Sequence, residues 1–523
     1  MPAPASRVVF LGLDGGTTAV LRPAFERGWM PHLAAYWRRA ASGALRSSVP
    51  MVTPVAWTSF STGCRPEVHG VHEFYRVEPG SRTIHPNGAG DVKVPTLWEH
   101  LGRLGREVVS LNLPMSYPPP AGVRGIMVGG SDAPGRDWAF VQCPEFGRLL
   151  AERVPGHTHK IVWKGRPRTL DDLRALAARN RESFRALGRA ALLADERCDW
   201  TALLVHFHDL DSLQHRLWPY LELEDGTAAG EPEWTAEVVS CLRALDAAVG
   251  ELLELADRRD AAVIALSDHG FGPCRALVDT NGLLRRAGLQ RGLAYGTRFA
   301  YRFHRLADRL NRWRGRRGAG TGRRHSRSVE GQVGCDWRHT VAYAPYGQLG
   351  ASVFLHRPNL PGAGAVDRAA GDVIETLLAA HDPETGAPLF ADAFRTAERY
   401  GLDPVAEGLP DVIAPSADGY QAQAKWSPFD RRLLAPDPAL PATHFAEGVL
   451  AVAAPGVRPG AHLDADLIDV APTALAALGL PVPAPMQGRP LREAFGPVLP
   501  PPRRRPVGPP APTAGARLTP DLP

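Results

Sequence analysis

The sequence contains no run of about 18 apolar residues free of charge, so no helix is expected to cross a membrane. Cysteine is scarce: six residues (Cys64, Cys143, Cys198, Cys241, Cys274, Cys335) are scattered over 523 positions with no CxxC pair. That excludes a disulfide framework and points to reduced thiols in a reducing compartment. Met1–Arg7 leaves no room for the separate cationic and apolar segments of a secretory leader before the first apolar run. The cytoplasm is therefore the expected location. Nor does the body of the chain carry an excess of positive charge. The formal net charge is +5, but residues 301–327 hold ten arginines and one aspartate, and residues 501–523 hold four arginines and one aspartate. With +9 and +3 assigned to those stretches, the remainder carries −7. A body of that sign is not expected to bind nucleic acid, and it suits a protein that gathers carboxylates around cations.

What is present describes a globular α/β chain. Hydrophobic residues make up 44% and charged ones 22%, the balance of a folded protein with a substantial core. The apolar run Arg7–Gly12 reads as a buried strand entering a Gly-rich turn, and Val108–Leu113, Thr201–Phe207 and Ala262–Leu266 read the same way. Leu21–Ala41, with a break at Pro31, Leu170–Leu193 and Trp234–Arg258 read as helices. Strands alternating with helices predict a mostly parallel sheet, whose functional groups collect just past the carboxyl ends of strands. Three such ends are followed by acidic or imidazole side chains: Asp14, then His208-Asp209-Leu210-Asp211, then Asp268-His269. The stretch Gly292–Gln332, rich in arginine and glycine, predicts a cap or mobile insert. From Pro501 onward, eight prolines in 23 residues predict a disordered tail. No internal repeat is present.

Four segments carry the chemistry. Leu11-Gly-Leu-Asp14-Gly-Gly16 offers a carboxylate with glycines that allow close approach. Thr53-Pro-Val-Ala-Trp-Thr-Ser-Phe60 leads through Thr62-Gly63 to Pro66-Glu-Val-His69-Gly70. Asp211-Ser-Leu-Gln-His215 sets a carboxylate and an imidazole on one helical face. Ser267-Asp268-His269-Gly270 places two donor types side by side after a strand, and His444 lies before the apolar run Val449–Ala453. Mixed Asp and His donors suit zinc first, with manganese or iron behind it, whereas magnesium and calcium prefer oxygen alone.

Taken in order, these segments resemble the alkaline phosphatase superfamily, in particular its type I phosphodiesterase/nucleotide pyrophosphatase branch and the bacterial phosphohydrolase/phosphomutase-like members. The likeness runs from about Val8 to Leu491, through GLDGG, TPVAWTSFSTG, PEVHG, DSLQHRLW, SDHG, HFAEGVL, Ile468-Asp-Val-Ala-Pro-Thr473 and Met486-Gln-Gly488. It implies an α/β three-layer sandwich over residues 1–500, with a cap or insert at about 280–440 and the tail at 501–523. It also implies two divalent metal ions roughly 3.5–4 Å apart. Asp211, His215 and His444 would hold one ion. Asp14, Asp268 and His269 would hold the other, with the Thr53 oxygen at or near it. The implied activity is hydrolysis of a small phosphate ester through a phospho-Thr53 intermediate, since a threonine hydroxyl needs activation to act as a nucleophile. The resemblance does not extend to the oligomeric state.

Other readings compete. Thr53 before Pro54 also suits the first turn of a helix with no chemical role. His69 before Gly70 is expected to close a turn. His206, His208 and Asp209 lie outside the family pattern, where roles behind the ligands or in solvent are expected; Asp209 competes with Asp211, and only the spacing to His215 favours the latter. Gly12-Leu-Asp14-Gly-Gly-Thr-Thr18 resembles the phosphate loop of actin-like sugar kinases, but a helix, not a hairpin, is predicted after it. Cys64-Arg-Pro66 lacks the last arginine of a sulfatase motif. Nucleotide pyrophosphatases carry asparagine three positions after the nucleophile, where this chain has Ala56. The apolar Pro54–Trp57 surroundings favour a diester, with a phosphomonoesterase or a metal-dependent phosphomutase as the alternatives.

Overall fold

The structure is a computed structural model and describes residues 4–79, 83–133, 141–159, 161, 165–221, 232–292, 327–328, 335–347, 349–424, 432–436 and 440–495. The Pro-rich tail and nearly all of the Arg-rich stretch lie outside them. The chain divides into two compact units. The first comprises residues 1–71, 88–272 and 439–523; the second comprises 72–87 and 273–438.

The first unit is built on an eight-stranded sheet. Its strands are β1 (Arg7–Gly12), β2 (Ala41–Arg46), β3 (Glu107–Leu113), β4 (Gly125–Gly129), β5 (Trp200–His206), β6 (Ala261–Leu266), β7 (Glu447–Ala453) and β8 (His462–Asp466). They lie in the order β8-β2-β7-β6-β1-β5-β3-β4. Only β7 runs against its neighbours, β2 and β6; the other pairings are parallel. The continuous apolar character of β1 has a direct cause, because both of its faces are covered. Val9 and Leu11 enter a core shared with the helices α1 (Thr18–Glu26), α2 (Pro31–Arg39), α6 (Leu170–Asp195) and α8 (Pro232–Arg258). Val8 and Phe10 enter the opposite core, shared with α3 (Thr53–Thr62), α4 (Leu97–Arg103) and α9 (Val470–Ala477). The result is a three-layer α/β sandwich with a mostly parallel sheet. Two further helices, α5 (Pro144–Arg153) and α7 (Asp209–Leu217), belong to the first of these layers.

Local chemistry sets the helix ends. Thr169 caps α6 in a reciprocal box: its hydroxyl accepts from the Asp172 amide while the Asp172 carboxylate accepts from the Thr169 amide. At the start of α2, after the break that Pro31 imposes, the buried Asp246 accepts the main-chain N–H groups of His32 and Leu33 at 3.1 and 2.8 Å. Tyr36 on the same helix places its hydroxyl against the carbonyls of Val263 and Ala451 at 3.0 and 2.8 Å, spanning β6 and β7.

The second unit has its own apolar core, around a four-stranded sheet that includes Ala342–Tyr346 and Gly350–Leu355 and the helix Ala363–Leu378. The segment 72–87, which no sequence signal marked as part of an insert, joins this unit and contributes two short strands, Tyr75–Val77 and Thr83–Pro86. All six cysteines are free thiols. Among the described residues no helix is long and apolar enough to cross a membrane.

Candidate metal centre

The carboxyl ends of β1, β5 and β6 lie side by side in the sheet, so the loops that leave them converge. Asp14 follows β1, with Leu13 between; His206 ends β5; Asp211 and His215 lie on α7, which starts three residues later; Asp268 and His269 follow β6. His444 sits in the short strand Ala442–Phe445. All seven side chains belong to the first unit. Gly15 lets the first loop turn tightly. Its φ of +68° is a left-handed conformation, and an added Cβ would stand 2.7 Å from the Phe271 ring. Its N–H donates to Asp268 Oδ1 at 3.1 Å, tying the Asp14 loop to the Asp268 loop.

Three imidazoles share one orientation. His215 Nδ1 faces the Ala442 carbonyl at 3.0 Å, His444 Nδ1 faces the Met51 carbonyl at 3.3 Å, and His269 Nδ1 faces the Gly270 carbonyl at 3.0 Å. A carbonyl only accepts, so each Nδ1 carries a proton and each ring turns its Nε2 inward. This is how main-chain acceptors orient metal-ligating histidines. The Nε2 atoms meet carboxylates and one another. His444 Nε2 lies 3.1 Å from Asp211 Oδ1, His215 Nε2 lies 3.4 Å from the same oxygen, and the two Nε2 atoms are 3.0 Å apart. On the other side, His269 Nε2 lies 3.2 Å from Asp268 Oδ2 and 3.6 Å from Asp14 Oδ1.

Asp14, Asp211 and Asp268 are buried, and their ion pairs among the described residues are all with histidine. Burial raises a carboxyl, but neighbours can outweigh it. Against burial, His206 and His208 hold Asp14 well below the usual carboxylate range. Attraction from His215 and the His444 contact likewise lower Asp211. At Asp268, burial together with the Asp14 charge outweighs the Gly15 N–H and pushes the carboxyl well up. Burial takes His269 down to about 3 and lowers His215 as well. Burial opposes the His208 imidazolium too, but Asp14 outweighs it and raises that ring to about 9.

A cation fits this donor set. Asp14 Oδ1, Asp268 Oδ2 and His269 Nε2 are buried atoms with no hydrogen-bond partner. Orphaned groups of this kind cost free energy unless an ion answers them. Two sets of donor atoms, Asp14/Asp268/His269 and Asp211/His269/His444, lie close enough for each to hold an ion. Donors about 2.1 Å from a tetrahedral ion stand about 3.4 Å apart, which the contacts above approximate.

The remaining candidates are placed as follows. Thr53 is buried in the first turn of α3, with Pro54 preset for that turn. Met51, two residues earlier, carries the carbonyl that faces His444. The Ala56 side chain is buried in the apolar core under the sheet. Asp209 turns away from the centre, accepting the Ile161 N–H at 3.0 Å and the Ser183 hydroxyl at 2.5 Å. His69 Nδ1 accepts the Val71 N–H at 3.1 Å, so its Nε2–H donates to Ser59 Oγ at 3.0 Å, inside the protein fabric. Sequence reasoning left His206 and His208 behind the ligands or in solvent. Both contact Asp14 Oδ2, at 2.9 and 3.0 Å. Their spacing at the end of β5, two residues apart and close to Asp211, was the signal available.

A family model described as type I phosphodiesterase / nucleotide pyrophosphatase matches residues 8–428. Phosphonoacetate hydrolase from Sinorhizobium meliloti 1021, solved in complex with phosphonoacetate, shares 19% identity at a TM-score of 0.53, over 91% of this chain and 96% of that one. Its complex with phosphonoformate is similar at 19% identity and a TM-score of 0.52, with the same two coverages of 91% and 96%. Human ectonucleotide pyrophosphatase/phosphodiesterase 5 shares 12% identity at a TM-score of 0.50, over 94% of this chain and 99% of its own. At these identities the likeness is one of fold. No curated protein matches the sequence.

Proposed function

Since this chain belongs to the type I phosphodiesterase/nucleotide pyrophosphatase family, we propose that its Asp/His centre holds two divalent cations, zinc by donor chemistry, and cleaves phosphodiesters through Thr53. Membership makes it a metal-dependent phosphoric ester hydrolase; the ion count, the ion's identity and the residue roles are the proposal. Asp211, His215 and His444 would hold one ion, and Asp14, Asp268 and His269 the other, with the Thr53 oxygen beside it. The observation that carries this reading is the convergence of buried carboxylates and inward-facing Nε2 atoms, with no lysine or arginine among the described residues paired to those carboxylates. The second unit, which interrupts the first at two points in sequence, is taken as the insert of one catalytic domain.

Bound divalent cations supply Lewis acidity, favouring the ionised hydroxyl and neutralising charge on the phosphoryl and leaving oxygens. Thr53 Oγ attacks phosphorus; the Oγ–P bond forms as the bond to the leaving oxygen breaks, and that oxygen takes up a proton. Water then cleaves the phospho-threonine and restores the hydroxyl. The start of α3 favours an anion beside Thr53, because the partial positive end of the helix dipole lies there. With Ala56 packed in the core, a polar contact to the phosphate three residues after Thr53 is absent, and the turn that follows Thr53, Pro54–Trp57, is apolar and buried. That environment suits a monoanionic diester better than a dianionic monoester.

The test is an acid quench during turnover of bis(4-nitrophenyl) phosphate, followed by mass spectrometry of the Thr53 peptide. Phosphate ester mass on Thr53 supports the proposal. Turnover with an unmodified peptide at every quench time overturns the covalent route. Faster cleavage of 4-nitrophenyl phosphate than of the diester favours the monoesterase alternative.

A further inference from the structure

We propose a third cation site on the far side of Asp14, formed by Asp14 Oδ2, His206 Nε2 and His208 Nδ1 and suited to a zinc-like divalent ion. It rests on the two-cation reading above, because it requires Asp14 to use its other oxygen, Oδ1, toward the Asp268/His269 side.

The two oxygens of Asp14 look in different directions. Oδ1 faces His269 Nε2 at 3.6 Å and has no hydrogen bond. Oδ2 faces His206 Nε2 at 2.9 Å and His208 Nδ1 at 3.0 Å. The three ligand atoms on the Oδ2 side lie within 4.8 Å of one another, so a single ion can reach all three. One oxygen and two imidazole nitrogens form the three-ligand set of a zinc site that keeps an open position. The carboxylate then bridges two ions, one per oxygen.

The His206 ring is built into this pose. Its Nδ1 lies 2.9 Å from the Asn112 carbonyl, which can only accept, so Nδ1 carries a proton and Nε2 is the atom turned toward the Asp14 carboxylate. A proton or a metal ion can join Nε2 to the carboxylate, and a divalent ion can do so while also reaching His208. Asn112 presents that carbonyl from a left-handed conformation with φ of 63°, uncommon for a residue other than glycine. The Trp57 ring packs edge-on against His206 with centroids 4.5 Å apart. Gly12 keeps the space open, since a Cβ there would stand 2.9 Å from Trp57 and 3.3 Å from the His206 ring. His208 supplies the path to solvent: its side chain is 18% exposed, whereas those of His206 and Asp14 are fully buried.

The experiment counts ions on the full chain loaded with zinc and freed of excess, by elemental analysis and native mass spectrometry. The expected result is three zinc ions in the parent and two in both His208→Ala and His206→Ala, with circular dichroism reporting that each variant is folded. His208→Ala keeps the test alive where the buried His206→Ala fails to fold. Crystals of the loaded protein should also show an anomalous zinc peak about 2.0–2.1 Å from His206 Nε2 and His208 Nδ1. Two ions in the parent, unchanged in His208→Ala, mean that protons alone link the two histidines to Asp14; this overturns the third site and leaves the two-cation reading intact. Three ions in both parent and His208→Ala place the extra ion elsewhere and also overturn the site. Fewer than two ions in the parent overturns the two-cation reading, and the third site falls with it.

Discussion

The Nε2 atoms of His215 and His444 face each other at 3.0 Å while the Nδ1 atom of each ring is turned to a main-chain carbonyl. Two ring nitrogens held that close need a proton or a metal ion between them. Chelation is therefore expected to abolish turnover and to lower the melting temperature together. An ion present at a thousandfold its dissociation constant adds about 4 kcal/mol to folding stability. Differential scanning fluorimetry with and without chelator, followed by zinc reloading, checks this. A melting temperature and a rate that both ignore the chelator contradict it.

Thr53→Ala is expected to keep the bound ions, because the carboxylate and imidazole donors remain, yet to lose several orders of magnitude in kcat. Thr53→Ser should retain a substantial fraction, since the oxygen survives. Steady-state kinetics beside metal content decide the matter; a Thr53→Ala enzyme running near the parent rate would mean that water attacks directly.

Asp209 and Asp211, two residues apart on α7, should fail in different ways when truncated. Asp211→Ala is expected to empty its ion and stop turnover. Asp209→Ala strands the buried Ile161 N–H and the Ser183 hydroxyl, a loss on the order of 1–3 kcal/mol in stability with the ions retained. Metal analysis and melting curves of the two variants separate the roles. Metal loss in Asp209→Ala would reverse the assignment.

Glu73, in the second unit, gives a pH prediction. Burial pushes its carboxyl up to about 7 from 4.5. The folded state thus keeps a proton that the unfolded chain releases, and stability falls as pH rises from 4.5 toward 7. The cost is absent below that window and complete above it, about 3 kcal/mol at full size. Glu73→Gln should raise the urea midpoint at a pH of about 8 and leave it nearly unchanged at a pH of about 4. Equal shifts at both pH values would show that burial of this carboxyl is not the cause.

Much of the first unit was legible from periodicity. The runs around Arg7–Gly12, Val108–Leu113, Thr201–Phe207 and Ala262–Leu266 are continuous because both sheet faces are covered, and each lies in a strand of the parallel sheet. The strand-end rule led to Asp14, Asp211, Asp268 and His269 for the same reason: adjacent strands bring their carboxyl ends together. The direction of an individual side chain was not legible. Asp209 and Asp211 share a helix turn, and only the fold decides that one meets Ser183 and the other His444. The approach of His206 to Asp14 depends on the Asn112 carbonyl, the Trp57 ring and the missing Cβ of Gly12, three contacts from distant segments. The segment 72–87 joins the second unit through pairings with residues hundreds of positions away, which no local pattern encodes.

The antiparallel strand β7 lies between β2 and β6, near the middle of the sheet, although among the strands of this sheet only β8 follows it in sequence. During synthesis the partner edges of β2 and β6 must wait for residues 447–453 before they can pair. At roughly 5–20 residues per second that delay is about 20–80 s for β2 and about 10–40 s for β6. Over that interval two apolar edges are open to wrong partners, the situation that favours aggregation. His444 emerges only three residues before this closing strand. On the proposed assignment, the ion that needs His444 can be captured only after that residue has been made, so no translation product that stops short of it can hold the full set of ligands.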